Sequence, residues 1–467
     1  MGEAVRGPSR RSAAGCLMAA GVMWIIAGLV PPRLLPLEPV WMAMAWPVAG
    51  GGLLAVLVGA AGWRDSRVPG SALMALGVAL GSLLMVLVVA EVGCRQAGLD
   101  FAGEEAAQRR FPPYYRSPRV PSGTVFYRRE GPESWTGQPI RTWLALSDNP
   151  ASEVYRNEAT FTVRYDAQGF RGEEATSDWE VAVAGDSFVE LGCVPHGSLF
   201  TTVLAGGTGW RVRNLGVSNT GPLTHLHYLE AYGVAPSLRR VVVVFYEGND
   251  LQDLAWERQA LEHHARTGKR GSRALRRQSS LMGALHDAYL RPPRHRGPSE
   301  APSPEHLFAS REGAVRVTLP PFAPDPAELR PEVLSAWEDF LARYRAWGER
   351  GGLELWLAYM PVKARVLAGR VQPVDPAVGV LEGWTPTALP AWVEEGCRRH
   401  GIRFVDLTPA LRHVAQEEGE CPYNPMVETH LNASGSRTVG QELARRLGRR
   451  NGESSSAGRG SQPPGSR

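Results

Sequence analysis

Cysteine is scarce in this chain, and the few cysteines lie far apart. Five occur among 467 residues, at Cys16, Cys94, Cys193, Cys397 and Cys421. No two of them are spaced as Cys-x-x-Cys, so the sequence indicates neither a zinc site nor a disulfide framework. The last three fall in the globular part of the chain, where we predict buried free thiols; a single disulfide among them is the alternative.

A strong net charge is also missing. The formal net charge is +4, and the arginines are spread along the chain without a single long basic run. This balance does not indicate a nucleic-acid partner. The histidine pairs do not indicate a metal site either, since His225 and His227 lie two residues apart on a predicted helix and His263 and His264 are adjacent. Neither pair has the ligand spacing of a zinc site.

Charged residues are absent from three long stretches near the N-terminus. Residues 12–32, 40–62 and 69–90 contain no Asp, Glu, Lys or Arg. Each has about the 20 residues that a helix needs to cross the hydrocarbon layer of a membrane. We therefore predict a membrane region over residues 1–94 with three spanning helices. A cleaved signal peptide is the alternative for the first stretch, although Val-Pro-Pro-Arg-Leu-Leu is a poor cleavage context.

The basic residues between these stretches predict the orientation. Three arginines precede the first stretch and two lie between the second and third, whereas the intervening loop has only Arg33, offset by Glu38. Positive loops tend to stay in the cytoplasm, so the N-terminus and the second loop are expected there. With an odd number of spans, everything after about Glu91 is expected outside the cytoplasm.

The remaining chain divides by its pattern. Residues 95–177 form a predicted connecting region, in which "FPPYYRSPRVPSG" indicates extended or polyproline chain and "TFTVRYDAQGFRGEE" a strand followed by a turn. Residues 178–448 alternate strands with helices. The strands are "WEVAVAG", "WRVRNLGV", "RRVVVVFYEGND", "LELWLAYMP" and "IRFVDLT". This alternation predicts an α/β domain with a doubly wound parallel sheet. A disordered tail is expected at 449–467.

A basic insertion at about residues 251–320 interrupts the α/β pattern. We expect it to be helical at its ends and to lie over the active edge of the sheet. One interpretation is a cap that helps to bind an anionic envelope component or lipid headgroups. A solvated helical face without a binding role is the alternative.

Polar residues follow successive strands where each strand ends. Asp186 and Ser187 follow the first strand, Gly216 ends the second, Asn249 and Asp250 follow the third, and Glu428 and His430 follow the last strand. In an open α/β sheet, the carboxyl ends of the strands line the crevice where ligands bind. We therefore expect all four pieces to face one cleft.

These residue types suit acyl transfer through a serine nucleophile. Ser187 is the candidate nucleophile, His430 its base, and Glu428 the group that orients the imidazole. The backbone N–H groups of Ser187 and Gly216 and the side-chain amide of Asn249 are candidate donors to an oxyanion. Asp186 and Asp250 are candidate supporting residues. "GDSFV" does not match Gly-x-Ser-x-Gly, so an α/β-hydrolase nucleophile elbow is not indicated.

The motifs resemble those of the SGNH (GDSL-type) hydrolase superfamily. They are "AGDSFVELG", "NLGVSNTGP", "FYEGNDLQD" and "THLNASGSRTVGQEL", with the four name-giving residues at Ser187, Gly216, Asn249 and His430. "YDAQGFRGEE" and "LAYMPVKARV" resemble segments of membrane-anchored bacterial members. The resemblance implies a flavodoxin-like three-layer α/β/α sandwich, acyl-ester hydrolysis or transfer, and no metal or cofactor.

One position departs from the family pattern. The family usually has an aspartate three or two residues before the histidine, where this chain has Val427 and Glu428. Either Glu428 reaches the imidazole, or a backbone carbonyl orients it and leaves a Ser–His dyad.

The sequence leaves three functions open. The first is a membrane-anchored serine esterase acting outside the cytoplasm on acyl, including O-acetyl, esters of an envelope glycan or a lipid. The second is an O-acyltransferase acting on an extracytoplasmic polysaccharide with the same serine. The third is a non-catalytic glycan-binding module on the same fold, for which the departure at Glu428 is the only support.

Overall fold

The computed structural model of the protein describes residues 110–116, 118, 126–172, 178–267, 305–319, 323–375 and 385–448. From residue 111 onward, these described residues belong to one compact unit. The predicted membrane spans at 12–32, 40–62 and 69–90 and the predicted tail at 449–467 lie outside the described residues. Within the described ranges, no helix is both long and apolar enough to cross a bilayer.

The secondary structure follows the predicted alternation. The strands are β1 (Glu133–Gly137), β2 (Phe161–Tyr165), β3 (Val181–Gly185), β4 (Val212–Gly216), β5 (Arg240–Tyr246), β6 (Glu305–Ser310), β7 (Gly313–Thr318), β8 (Glu354–Met360), β9 (Val371–Pro373) and β10 (Arg403–Asp406). The α-helices are α1 (Pro139–Leu146), α2 (Ser187–Glu190), α3 (Phe200–Thr208), α4 (Pro222–Tyr232), α5 (Asp250–Thr267), α6 (Pro331–Gly351), α7 (Lys363–Leu367), α8 (Leu389–Arg399), α9 (Thr408–Gln416) and α10 (Ala433–Gly448).

The central sheet is parallel, with strand order β10–β8–β5–β3–β4. Strand β3 is the first of the five in the chain, and it lies between β4 and β5. The chain therefore moves to one side of β3 and then to the other, which opens a crevice at the carboxyl ends of these strands. The predicted α/β fold with a parallel sheet is confirmed.

Helices cover both faces of this sheet. Val181 and Val183 of β3 pack with α3, α9 and α10. Ala182 and Ala184 of the same strand pack with α4, α6 and α8 on the other face. Because side chains alternate along a strand, a strand that is apolar at every position has to be covered on both sides. The continuous apolar run "VAVA" therefore accounts for a helix layer on each face.

The predicted connecting region is folded where the structure describes it. As predicted, β2 is followed by a turn, in which the Gly169 N–H donates to the Asp166 carbonyl at 2.9 Å. Strand β1 pairs with β2 in antiparallel register. The prediction of extended chain does not hold at Pro113–Tyr115, which forms a 3-10 helix. Ile140 and Leu144 of α1 pack into the same core as β3. The core therefore extends beyond the predicted boundary at residue 178.

A buried ion pair joins this upstream region to the α/β domain. Glu190, at the end of α2, has no exposed surface, and Arg129 is 5% exposed. The Arg129 guanidinium donates to both oxygens of Glu190. The Tyr165 hydroxyl of β2 donates to Glu190 at 2.5 Å, and Ser218 donates through its N–H and its hydroxyl. Glu190 thereby connects β2, α2 and the loop after β4.

The predicted insertion has two different ends. It begins with helix α5, as expected. Its other end consists of strands β6 and β7, which form an antiparallel hairpin with β9 as a third strand, so the prediction of a helix there is wrong. Buried His306 and Phe308 alternate with more exposed neighbours along β6, which is the period of a half-buried strand. The basic middle of the insertion, 268–304, lies outside the described residues.

We expect Arg129→Met to destabilise the fold. The change leaves the Glu190 carboxylate buried without its cation, and breaking such a pair costs about 3–5 kcal/mol. The measurement is the free energy of unfolding from denaturant titration of the purified chain. Arg398→Met is the control, because its partner is Glu395 and both side chains are largely exposed, at 72% and 47%. It should change the free energy by roughly 0–1 kcal/mol. Equal losses in the two variants would contradict this account.

Candidate active site

The candidate nucleophile Ser187 lies at the turn between β3 and α2. Asp186 caps this helix, because its Oδ1 accepts the Phe188 N–H at 2.8 Å. Gly185 is required at the end of β3, since a Cβ there would overlap with the side chain of Val189. The turn leaves Ser187 partly exposed among buried neighbours. Helix α2 has only four residues, so its dipole contributes less at Ser187 than a long helix would.

The structure brings Ser187, His430 and Glu428 together. The His430 Nε2 lies 2.7 Å from the Ser187 Oγ. On the other side of the ring, Nδ1 contacts the Glu428 Oε1. The same carboxylate oxygen accepts the backbone N–H of His430 at 3.1 Å. The side chain of Glu428, rather than a backbone carbonyl, is therefore the partner of Nδ1.

The opposite charges of Glu428 and a protonated His430 stabilise each other. Burial alone would raise the pKa of Glu428, but the charge of His430 and the hydrogen bonds from His430 and Tyr115 keep it below its ordinary value. Burial alone would lower the pKa of His430, but the charge of Glu428 and its hydrogen bond outweigh burial and raise it. The arrangement therefore stabilises an imidazolium beside a carboxylate, which is the state that follows proton transfer from a serine.

A tight turn delivers Glu428 to the imidazole. Val427 has a left-handed φ of 61°, and the Glu428 N–H donates to the Met426 carbonyl at 2.5 Å. The turn is held from outside, because the Val427 N–H donates to the Thr318 Oγ1 at 2.8 Å. Thr318 ends β7, so the close of the insertion contacts the loop that carries the candidate base.

A buried lysine holds the same loop. Lys363 is 1% exposed. Its Nζ shares its three N–H donors among four backbone carbonyls, those of Asn424, Pro425 and Glu428 at 2.6, 3.1 and 3.1 Å and that of Thr318 at 3.1 Å. Burial lowers the pKa of Lys363 to about 8 although nearby acidic groups raise it. The sequence pattern did not indicate this role for Lys363.

The predicted supporting aspartates are both buried. Asp186 and Asp250 are 1% and 0% exposed. Burial raises the pKa of Asp186 to about 6, against its hydrogen bond from Phe188. Burial, together with the charge of Asp186, raises the pKa of Asp250 well above its ordinary value. The Asp250 Oδ2 accepts the Tyr246 N–H at 2.8 Å, which fixes the turn at the end of β5.

Gly216 does not serve as the donor that the sequence suggested. Its N–H donates to the Asn214 Oδ1 at 2.9 Å. A Cβ at Gly216 would overlap with the backbone nitrogen of Glu190. The glycine therefore permits β4 to pack closely against α2, and its N–H is engaged within the fold.

The neighbouring loop offers a different donor. Asn219 has a left-handed φ of 60° and is exposed. The loop is held beside the serine turn, because the Val217 N–H donates to the Gly185 carbonyl at 3.1 Å. The backbone N–H groups of Ser187 and Asn219 have no acceptor among the residues that the structure describes. The signal in the sequence was the Asn-Thr-Gly after β4, since Asn tolerates a left-handed conformation better than most residues.

Asn249 lies on the same edge, after β5. One of its amide hydrogens is donated to the Asp253 Oδ2 at 2.5 Å. A primary amide carries a second N–H, which remains for another acceptor. The Asn249 Oδ1 is buried and has no partner within the described part of the chain.

The candidate triad is contacted by two tyrosines that the sequence pattern did not indicate. The Tyr115 hydroxyl donates to the Glu428 Oε2 at 2.8 Å. The Tyr114 hydroxyl donates to the Ser187 carbonyl at 3.2 Å, and its ring meets that of His430 edge-on at 5.4 Å. Both belong to the Pro-Pro-Tyr-Tyr segment of the predicted connecting region. Neither periodicity nor spacing connects this segment with residues more than 300 positions later.

Two of the histidines considered in the sequence, His225 and His227, pack against partners within the described part of the chain. The His225 Nε2 lies 3.2 Å from the Thr220 Oγ1, and burial lowers the pKa of His225 to about 3. The ring of His227 stacks on Phe126. Cys193, Cys397 and Cys421 are free thiols, as predicted, although Cys421 is only half-buried.

Comparisons with known proteins give no close relative. No family model matches the chain, and no curated protein does. One similar solved structure is a protein classed provisionally as lipolytic, of the G-D-S-L family, from Desulfitobacterium hafniense; it has 12% identity and a TM-score of 0.26 over 57% of this chain and 98% of its own. Another is LAE5, an alpha/beta hydrolase enzyme from the metagenome of Lake Arreo in Spain. It has 12% identity and a TM-score of 0.30, and the match covers 58% of this chain and 98% of LAE5. At such low values neither match identifies the family of this chain.

We expect Gly216→Ala to destabilise the fold through packing. The added Cβ meets backbone atoms of α2, which cannot rotate away, and such overpacking costs about 1–3 kcal/mol or more. The measurement is the shift in Tm. Gly206→Ala in α3 is the matched control, because a Cβ there meets nothing within 4 Å. A Tm that is unchanged in Gly216→Ala would mean that β4 and α2 do not pack as described.

Proposed function

We propose that this protein is a serine ester hydrolase of SGNH type. The observation that carries the proposal is the continuous contact from the Ser187 Oγ through the imidazole of His430 to the buried carboxylate of Glu428. A hydroxyl with a base in contact, and a base that is held by a third group, form the arrangement of an activated nucleophile. The parallel sheet with this turn at the end of its first strand supports the same family.

The chemistry proceeds by transfer of an acyl group to the serine. The Ser187 Oγ attacks the ester carbonyl while the His430 Nε2 accepts the hydroxyl proton. The oxygen–carbon bond to the leaving alcohol then breaks, and the imidazolium returns its proton to that alcohol. Water, activated by the same imidazole, hydrolyses the acyl-serine and regenerates the hydroxyl.

The oxyanion of each tetrahedral intermediate needs donors that are already in position. We assign this role to the backbone N–H groups of Ser187 and Asn219 and to the amide of Asn249, with Asn219 in place of Gly216. Such donors contribute most when they do not have to reorganise during the reaction. The chain just before Asn219 is held twice: the Ser218 N–H donates to Glu190, and the Val217 N–H donates to the Gly185 carbonyl.

The substrate that we propose is an acyl, including O-acetyl, ester of an envelope glycan or a lipid. Two features of the sequence support it: the uncharged stretches in residues 1–94 indicate a membrane anchor, and the arginine distribution favours an extracytoplasmic site. The glycan-binding alternative drew its only support from the departure at Glu428. Since Glu428 contacts Nδ1, that support is no longer present.

We expect Ser187→Ala to abolish ester hydrolysis. Loss of the nucleophile in a Ser–His system lowers kcat by a factor on the order of 10⁶. The measurement is hydrolysis of short acyl esters by the full-length protein, together with covalent labelling by a fluorophosphonate probe. Ser198→Ala is the matched control, since this serine lies eleven residues away and its hydroxyl contacts Arg437. Hydrolysis or labelling that persists in Ser187→Ala would eliminate the serine mechanism.

We expect Glu428→Gln to lower kcat/KM by roughly 10²–10⁴ and to move its acidic limb. The base must be neutral, so the rate falls as the pH drops through the pKa of His430. The carboxylate raises this pKa, whereas burial lowers it. Removing the charge leaves burial, and the acidic limb should therefore move to lower pH. The measurement is the pH dependence of kcat/KM. An unmoved limb would show that Glu428 does not act on His430.

A further inference from the structure

A short segment before the α/β domain lies against the candidate triad. We call residues 111–116 the strap. Its Tyr114 contacts Ser187 and His430, and its Tyr115 contacts Glu428. The strap fits closely, because a Cβ at Gly192, just after α2, would overlap with the side chain of Tyr114. The strap therefore approaches all three members of the triad.

The two oxygens of Glu428 have different donors. Oε1 accepts hydrogen bonds from Nδ1 and from the backbone N–H of His430. Oε2 accepts the Tyr115 hydroxyl, which is its only donor among the described residues. Glu428 is 3% exposed, so little water can reach it in place of that donor. A buried carboxylate depends strongly on each of its hydrogen bonds.

The position of the Tyr115 ring is fixed independently of Glu428. The ring stacks on Trp143 of α1, with centroids 4.4 Å apart and planes at 4°. Burial, together with the charge of Glu428, raises the pKa of Tyr115 well above its ordinary value, so the hydroxyl keeps the proton that it donates. The stack on Trp143 therefore orients the hydroxyl independently of its hydrogen bond to Glu428.

The strap backbone is held by Arg129. Its guanidinium donates to the carbonyls of Pro113, Tyr114 and Arg116 at 2.6, 2.8 and 2.9 Å. The same guanidinium pairs with Glu190 at the end of α2. One cation thus holds the strap and the helix of the nucleophile in a common frame.

We propose that Tyr115 is a positioning residue for the reaction: its hydroxyl holds the Glu428 Oε2, so that Oε1 remains directed at the His430 Nδ1. This inference rests on the proposed function. Without the hydroxyl, the carboxylate plane is held from one side only and can turn away from the orientation in which an oxygen faces Nδ1. The imidazole of His430 is then held in a productive orientation for a smaller fraction of the time. This lowers kcat and leaves KM unchanged.

The test is a double-variant cycle on the full-length protein with Tyr115→Phe, Glu428→Gln and both together. Phenylalanine retains the ring and its stack on Trp143. We expect Tyr115→Phe to lower kcat about tenfold, as for one hydrogen bond to a charged group, with KM unchanged and Tm nearly so. In the Glu428→Gln background the same change should cost less than about twofold, because the charge it acts on is absent.

The matched control is Tyr232→Phe, another half-buried tyrosine, whose hydroxyl accepts from Arg128. It should leave kcat and KM unchanged. A kcat in Tyr115→Phe equal to that of the wild type overturns the inference, and so does a full tenfold loss in the Glu428→Gln background, which would mean a general structural role. The proposed function fails separately, if the wild type neither hydrolyses esters nor reacts with the fluorophosphonate probe.

Discussion

The site depends on keeping one carboxylate charged in a place that water barely reaches. Glu428 is 3% exposed, and a buried ion is tolerated only when its lone pairs are satisfied. One of its partners is the imidazole two residues later, and the other is a phenol 313 residues earlier in the chain. The interaction that makes His430 a stronger base therefore also determines where the strap must lie. An apolar or exposed residue at 428 would need neither the strap nor the loop in their present positions.

A second buried carboxylate ties the upstream region to the sheet. Glu190 accepts hydrogen bonds from Arg129 and Tyr165, which lie before residue 178, and from Ser218 in the loop after β4. Because Arg129 also holds the strap carbonyls, the two carboxylates act through one connected set of hydrogen bonds. The region that looks like a linker in the sequence is thus part of the core and part of the candidate site. A fragment that began at residue 178 would leave both Glu190 and Glu428 without essential donors.

The sequence predicted the parts of this structure that depend on local pattern. Five apolar strands alternating with helices require a covered parallel sheet. Residues at strand ends meet at one edge, so the contact between Ser187 and His430 could be expected in advance. The failures have a common physical cause. Gly216 was assigned by its type, whereas its role is decided by the backbone of Glu190 packed against it. Tyr115 contacts Glu428 through tertiary folding alone, and no periodicity records such a contact. The close of the insertion was misread because β6 and β7 are short and only half-buried.

The turn at Val427 explains how Glu428 can reach His430 although only one residue separates them. With only one residue between acid and base, the chain has to reverse sharply, and Val427 does so at a φ of 61°. A β-branched residue in this region costs roughly 1–2 kcal/mol, and such strain persists only where surrounding contacts determine the conformation. Those contacts are present: Thr318 accepts the Val427 N–H, and Lys363 gathers three carbonyls of residues 424–428. The ammonium stabilises the carbonyls that the turn crowds together. The additional methylene of glutamate, compared with aspartate, then lets the carboxylate fold back onto Nδ1 from this close position, so the departure from the usual aspartate is matched by a strained turn and a buried cation.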